Sequence, residues 1–205
     1  MVVEDLDTLL ARARQLAARG RRAILGVAGP PGGGKSTLAR LVVEALGDAA
    51  VLVPMDGFHL AQAELVRLGR RDRMGAPHTF DAAGYVALLA RVRSAAETVY
   101  APEFRRPLEE PIAGAIAVAP DVPLVVTEGN YLLLGDGDWA GVRPLLDEAW
   151  YVEMDEETRL RWLIERHVEF GKTPEAARAW VLRSDQANAA VVAATRERAD
   201  LVVRL

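Results

Sequence analysis

The chain contains no cysteine. Disulfides, iron–sulfur clusters and thiolate zinc sites are therefore excluded, and the absence fits a reducing compartment without requiring one. Only Asn130 and Asn188 supply asparagine, and neither opens an N-K-x-D guanine-reading motif, which argues against a GTPase switch. The longest apolar runs, such as Val122–Thr127, are strand-sized and too short to span a bilayer. The N-terminus, MVVEDLDTLLARAR, lacks the basic and apolar regions of a secretory signal, so a cytoplasmic location is expected. With a net charge of −4 and no long run of one sign, neither nucleic acid nor an anionic membrane is an expected partner. The three histidines, His59, His78 and His167, have no zinc-type spacing.

What is present is ordinary for a folded domain. At 205 residues, 51% hydrophobic and 26% charged, the chain suits a single domain over 1–205. Leu6, Leu9, Leu10, Ala13, Leu16 and Ala17 recur at helical spacing, predicting a first helix over about 4–19 with Gly20 as its stop. Strands are expected at Ala23–Ala28, Ala50–Pro54, Ile112–Ala119, Val122–Thr127 and Ala149–Met154, with Leu201–Leu205 as a last edge strand. Helices are expected at Lys35–Leu46, His59–Leu68, Asp81–Ala95, Asp138–Leu146 and about 156–170, and another begins at Thr173-Pro174. Gly69–His78 reads as a loop and Thr98–Pro111 as irregular. Strands alternating with helices predict an α/β three-layer sandwich: a mostly parallel sheet with helices on both faces and ligands beyond the strands' carboxyl ends.

Gly29-Pro30-Pro31-Gly32-Gly33-Gly34-Lys35-Ser36 fills every defined position of G-x-x-x-x-G-K-[ST], between a strand and a helix. A loop wrapping a phosphate must aim successive N–H groups inward, and glycine permits the backbone this needs. The motif places Lys35 on the β/γ-phosphates, the Ser36 hydroxyl on Mg²⁺ and Thr37 near the same helix start. Mg-ATP is the expected nucleotide.

Asp56 follows the second strand in MDGFH and Glu128 follows a buried strand in VVTEGNY. Asp56 could accept the proton of an acceptor hydroxyl, or cap a turn with Gly57. Glu128 could serve the metal or orient Asp56, or stand as a solvated strand-end acid. Arg159 and Arg166 share one helix face, which could close over the transferring phosphate; a solvated, ion-paired helix is the bland alternative. The four tryptophans read as packing. Asp185-x-x-Asn188 could cap a helix.

The ordered set GPPGGGKS, MDGFH, GAPHTFD, VYAPEFRR, TEGNYLL and the arginine helix resembles the uridine kinase, phosphoribulokinase and bacterial pantothenate kinase group. It is most similar to the bacterial branch described as nucleoside/nucleotide kinase-like or fructose-transport kinase-like. The resemblance runs from about Ala23 to the C-terminus. It implies a catalytic role for Asp56 with Lys35, Arg159 and Arg166, a sugar contact at Asp81, and an acceptor loop that begins at Tyr100 and uses Arg105 or Arg106. Phe58, His59, Glu128 and Tyr131 complete the implied acceptor wall. Two arginines usual in uridine kinases are replaced by Trp162 and Leu163, and Asn130-Tyr131 departs from their pattern.

These readings converge on a kinase that moves the γ-phosphate of ATP to a hydroxyl of a nucleoside, a sugar or a pantothenate-like molecule. An ATPase or regulator without an acceptor and a nucleotide monophosphate kinase stay open as alternatives, as does a homodimer.

Overall fold

The computed structural model describes residues 2–204. Its main sheet has six strands, all parallel: β1 (Val2–Val3), β2 (Ala23–Ala28), β3 (Ala50–Leu52), β6 (Leu124–Gly129), β7 (Glu148–Glu153) and β8 (Leu201–Arg204), in the spatial order β1-β8-β7-β2-β6-β3. A separate antiparallel hairpin joins β4 (Val99–Arg105) to β5 (Glu110–Val118).

The helices cover both faces, and the strands' alternation assigns them. In β2, Ala23, Leu25 and Val27 point to one face, where they meet Leu9, Ala13 and Leu16 of α1 (Leu6–Ala17) and Leu38, Ala39 and Val42 of α2 (Lys35–Leu46). Ile24 and Ala28 point the other way, toward α4 (Ala82–Ser94), which buries Tyr85, Leu88, Leu89 and Val92. Each fully buried leucine, isoleucine or valine among them contributes about 1.5–3 kcal/mol over its exposed state. β2 and β6 are buried at every position, as strands covered on both faces must be.

Caps fall where the local chemistry puts them. Asp5 accepts the N–H of Thr8 at the start of α1, and Thr173 accepts that of Ala176 at the start of α6 (Pro174–Trp180). The short α3 (Gln62–Arg67) precedes the 69–79 segment. The helix α5 (Glu156–Glu169) leads into α6, a five-residue π-helical stretch (Val181–Asp185) and α7 (Gln186–Ala193).

Four local expectations are corrected. His59–Leu68 is helical only from Gln62, because Leu60 N–H donates to Thr79 O at 3.0 Å and His59 pairs with Phe80 as an isolated bridge. Asp138–Leu146 is two 3-10 turns, Gly137–Gly141 and Arg143–Leu145; Pro144, inside the second, has no N–H to donate into a continuous helix. The irregular segment after Thr98 contains β4, whose alternation is hidden by Pro102 and by a register shift between Ala101 and Glu103. β8 is not an edge strand, since β1 pairs outside it; the final residue of that expected strand lies outside the described residues. No helix among the described residues is long and apolar enough to cross a membrane.

Candidate active site

The carboxyl ends of β2, β3 and β6 open onto a cleft of about 830 Å³. The P-loop forms one end. Gly32 and Gly34 take φ of +74° and +86°, and a Cβ on Gly32 would stand 2.5 Å from Leu163 Cγ of α5. Both the backbone conformation and the close approach therefore require glycine there. Gly34 is the N-cap of α2 and offers no side-chain cap, so the first N–H groups of the helix stay available to an anion.

Lys35 is buried and donates from Nζ to Pro30 O at 2.9 Å. Burial holds its pKa below the ordinary value, while Glu128 and Asp56 oppose that shift. Ser36 Oγ donates to Glu128 Oε1 at 2.8 Å, and both residues line the cleft. Burial raises the Glu128 pKa, and the neighbouring Asp56 charge raises it further. One hydroxyl and one carboxylate fit a Mg²⁺ ion held mainly by phosphate oxygens and water. Among the described residues no group of three His, Cys, Asp or Glu could hold a metal by itself.

Asp56 sits in a 3-10 turn (Met55–Phe58) directly after β3, and its position is over-determined. Thr127 Oγ1 donates to Val53 O at 2.6 Å and pairs with the Tyr85 hydroxyl, also at 2.6 Å. Beneath the turn, Met55 is buried against Gly129, and a Cβ on Gly57 would meet Pro102 O at 2.3 Å. The acid is thus delivered to the cleft by a tight stack of β3, β6, α4 and the hairpin.

The arginine helix is α5, and its two arginines part company. Arg166 lines the cleft. Arg159 is buried behind the loop, donating to Pro31 O at 3.2 Å and to Gln186 Oε1. It braces the P-loop and does not line the cleft. Leu163, one of the replaced arginine positions, is buried under Gly32, while Trp162 is exposed.

The expected acceptor wall is only partly assembled. His59 lines the cleft, stacked on Phe80 with ring centroids 3.9 Å apart and 4.9 Å from Phe104; burial lowers its pKa. Phe58 instead packs on Tyr85 at 5.1 Å. Asp81 caps α4 by accepting Gly84 N–H at 2.8 Å. Tyr100 is exposed, Arg105 pairs with Glu103 at 3.4 Å, and Thr37 faces a small apolar groove beside Leu6 and Leu41. Tyr131 is buried and donates to Gly75 O at 2.5 Å, with Asn188 donating to the same oxygen at 3.3 Å. Trp139 Nε1 donates to Pro77 O at 3.2 Å. These bonds tie the 69–78 loop to the segment after β6 and to α7.

The hairpin separates Arg105 from Arg106. Val99 and Ala101 are buried on one face of β4, and farther along, Phe104 and Arg106, of the opposite parity, face the cleft. Arg106 Nη2 lies 3.6 Å from Asp56 Oδ2. Asp185 also lines the cleft and pairs with His167 Nε2 at 2.9 Å. Trp180, read as packing, lines it too, with the Lys172 ammonium 5.2 Å from its ring centroid. Neither Trp180 nor Phe170 carried a signal in its own neighbourhood of the sequence, since both reach the cleft through the fold of α5 against α6.

A phosphate loop at a strand end, with a lysine, a Ser–Glu pair and an opposed aspartate, defines the class of P-loop phosphotransferases. The chain belongs to the Phosphoribulokinase / Uridine kinase family, whose model matches residues 24–205. It is 31% identical to a Schizosaccharomyces pombe protein provisionally named a uridine kinase, over 98% of this chain and 91% of that one. A solved structure from Silicibacter sp. TM1040, provisionally named a fructose transport system kinase, is 33% identical with a TM-score of 0.88, covering 98% and 99% of the two chains. Pantothenate kinase from Leifsonia xyli is 33% identical over 70% of this chain but only 47% of its own length. The chain is accordingly an ATP-using small-molecule kinase with a hydroxyl group as phosphate acceptor.

Proposed function

We propose that this kinase phosphorylates a hydroxyl of a nucleoside, a sugar or a pantothenate-like molecule, with Asp56 as the base. The convergence of Asp56, Lys35, Arg166 and the Ser36–Glu128 pair on one cleft carries this reading. The loop from Gly29 to Ser36 binds the nucleotide phosphates through its N–H groups. Lys35 and Arg166 hold the transferring phosphoryl, and Arg159 keeps the loop in shape from behind. Asp56 orients the acceptor hydroxyl and takes its proton as the new phosphorus–oxygen bond forms and the bond to the β-phosphate oxygen breaks, the electron pair leaving with ADP. Ser36 and Glu128 position Mg²⁺, which neutralises charge on the β- and γ-phosphates when bound. His59, Phe80 and Phe104 offer the acceptor an aromatic wall.

The test is ADP release from Mg-ATP across nucleosides, sugars, pantothenate and nucleoside monophosphates, with a control lacking acceptor. Acceptor-dependent release is expected, and Asp56→Asn should lower it about 10²–10⁴-fold while ATP still binds. Near-normal turnover in Asp56→Asn would remove the base assignment. Release that ignores every acceptor would favour an ATPase.

A further inference from the structure

Arg106 stands just past β4, in the turn of the hairpin. That turn holds Glu109, the one non-glycine residue with positive φ among the described residues, at 54°. Such strain persists where the surroundings over-determine it. Here Gln62 supplies the restraint: its backbone N–H donates to the Glu110 carboxylate at 3.1 and 3.2 Å, and its Nε2 donates to Glu109 O at 3.2 Å. The hairpin tip is bolted to the start of α3, so Arg106 is aimed into the cleft from a fixed base.

Two elements distant in sequence thus present guanidinium groups to the same space. Arg106 comes from the hairpin and Arg166 from α5, and both line the cleft with Lys35 and Asp56. Arg106 lies 3.6 Å from Asp56, beyond hydrogen-bond distance, and Arg166 makes no salt bridge among the described residues. Burial lowers the Arg166 pKa, and the like charge of Arg106 lowers it further. The Arg106 guanidinium also lies 5.9 Å from the ring centroid of Phe170, the C-cap residue of α5. Like charges held close together around one carboxylate form a seat that an anion would relieve.

We infer that Arg106 is a further catalytic residue, a third cation that joins Lys35 and Arg166 in donating to the oxygens of the transferring phosphoryl. This rests on the reading of Asp56 and the P-loop given above. The hairpin then supplies one jaw of the clamp and α5 the other, and the Arg106–Phe170 contact draws them together. Without a phosphoryl group, Arg106 rests beside Asp56. Moving onto the phosphoryl frees that carboxylate for the acceptor's proton.

The experiment compares binding of Mg-ADP with binding of Mg-ADP plus aluminium fluoride, a mimic of the transferring phosphoryl, so no acceptor need be known. Arg106→Gln should leave the Mg-ADP Kd within about threefold and weaken the fluoride complex by about 100-fold. Arg106→Lys, which keeps the charge but loses the planar fork, should fall between. Phe170→Ala, at an exposed side chain, should weaken the fluoride complex about two- to fivefold, and by nothing more once Arg106 is Gln. Equal loss in both complexes, or loss in neither, would overturn the assignment of Arg106. Additive effects of the two substitutions would overturn the coupling to α5. If wild type and Lys35→Ala bound both complexes alike, the reading of the nucleotide site itself would fall, and this inference with it.

Discussion

At the nucleotide end of the cleft, each polar side chain is answered within a few residues of a buried strand's end. Lys35 reaches Pro30 O in its own loop, and Ser36 at the head of α2 meets Glu128 near the end of β6. At the acceptor end the walls come from α3, the 69–79 segment, the hairpin and the α5–α6 corner, and many of their side chains hold other walls in place. Tyr131 and Asn188 pin Gly75, Asp81 caps α4, and Gln62 restrains the hairpin tip. The difference teaches that the nucleotide end is set by local sequence and the acceptor end by contacts between distant segments. The strand ends are carried by a buried sheet, while the far wall is a lattice of side-chain-to-backbone bonds between separate elements.

The comparison breaks first at Lys35. Lys35→Ala should lower ADP release by about a thousandfold. The melting temperature should not fall, because burial already works against the ammonium. A variant that melts early would mean that Lys35 supports the loop more than the chemistry.

A carboxylate at neither end provides the structural contrast. Asp147 lies at the amino ends of the central strands β2 and β7, away from the cleft, where it accepts Ile24 N–H at 2.9 Å and pairs with Arg21 and Arg93. Burial pushes its pKa upward, but these hydrogen bonds outweigh that and hold it below the ordinary 3.8. A depressed carboxylate stabilises the fold above its unfolded pKa and loses that contribution as pH falls through the folded value. Asp147→Asn should therefore cost about 1–3 kcal/mol at pH 7 in urea unfolding. The cost should shrink once the pH falls well below 3.8, and turnover per folded molecule should be unchanged. A deficit that stayed constant with pH would show that shape, not charge, matters there.

The smallest effect should come from the acceptor wall. Tyr131→Phe removes one of two donors to Gly75 O and should cost about 1 kcal/mol of stability. The same loosening should raise the acceptor KM by up to about fivefold and leave the ATP KM unchanged. An equal rise in both would show that the two ends are not independent.

The legibility of the molecule follows the same division. The strand–loop–helix from Ala23 to Leu46 appears as expected to the residue, because the apolar run, the glycines and the Gly47 stop all act locally. Asp56 and Glu128 were visible as acids placed where buried strands end. Arg105 and Arg106 are not separable in the sequence, because neighbours along a strand point to opposite faces and only the packing of the hairpin shows which face meets the cleft. Tyr131, Asp81 and Phe58 looked like acceptor contacts because they are polar or aromatic residues in the right segments. What their atoms bond to depends on backbone brought from elsewhere in the chain.

The sequence by itself therefore determined the phosphate loop, the alternation that makes a parallel sheet, and the acids at its strand ends, since these depend on spacing and on conformations available to neighbouring residues. Only the tertiary structure decided that Arg166 faces the cleft while Arg159 braces the loop, that Arg106 opposes Asp56, and that Trp180 and Asp185 reach the same space. Those outcomes depend on packing between elements separated by tens of residues, where a position along a helix or the face of a strand decides whether a charge lines the cleft.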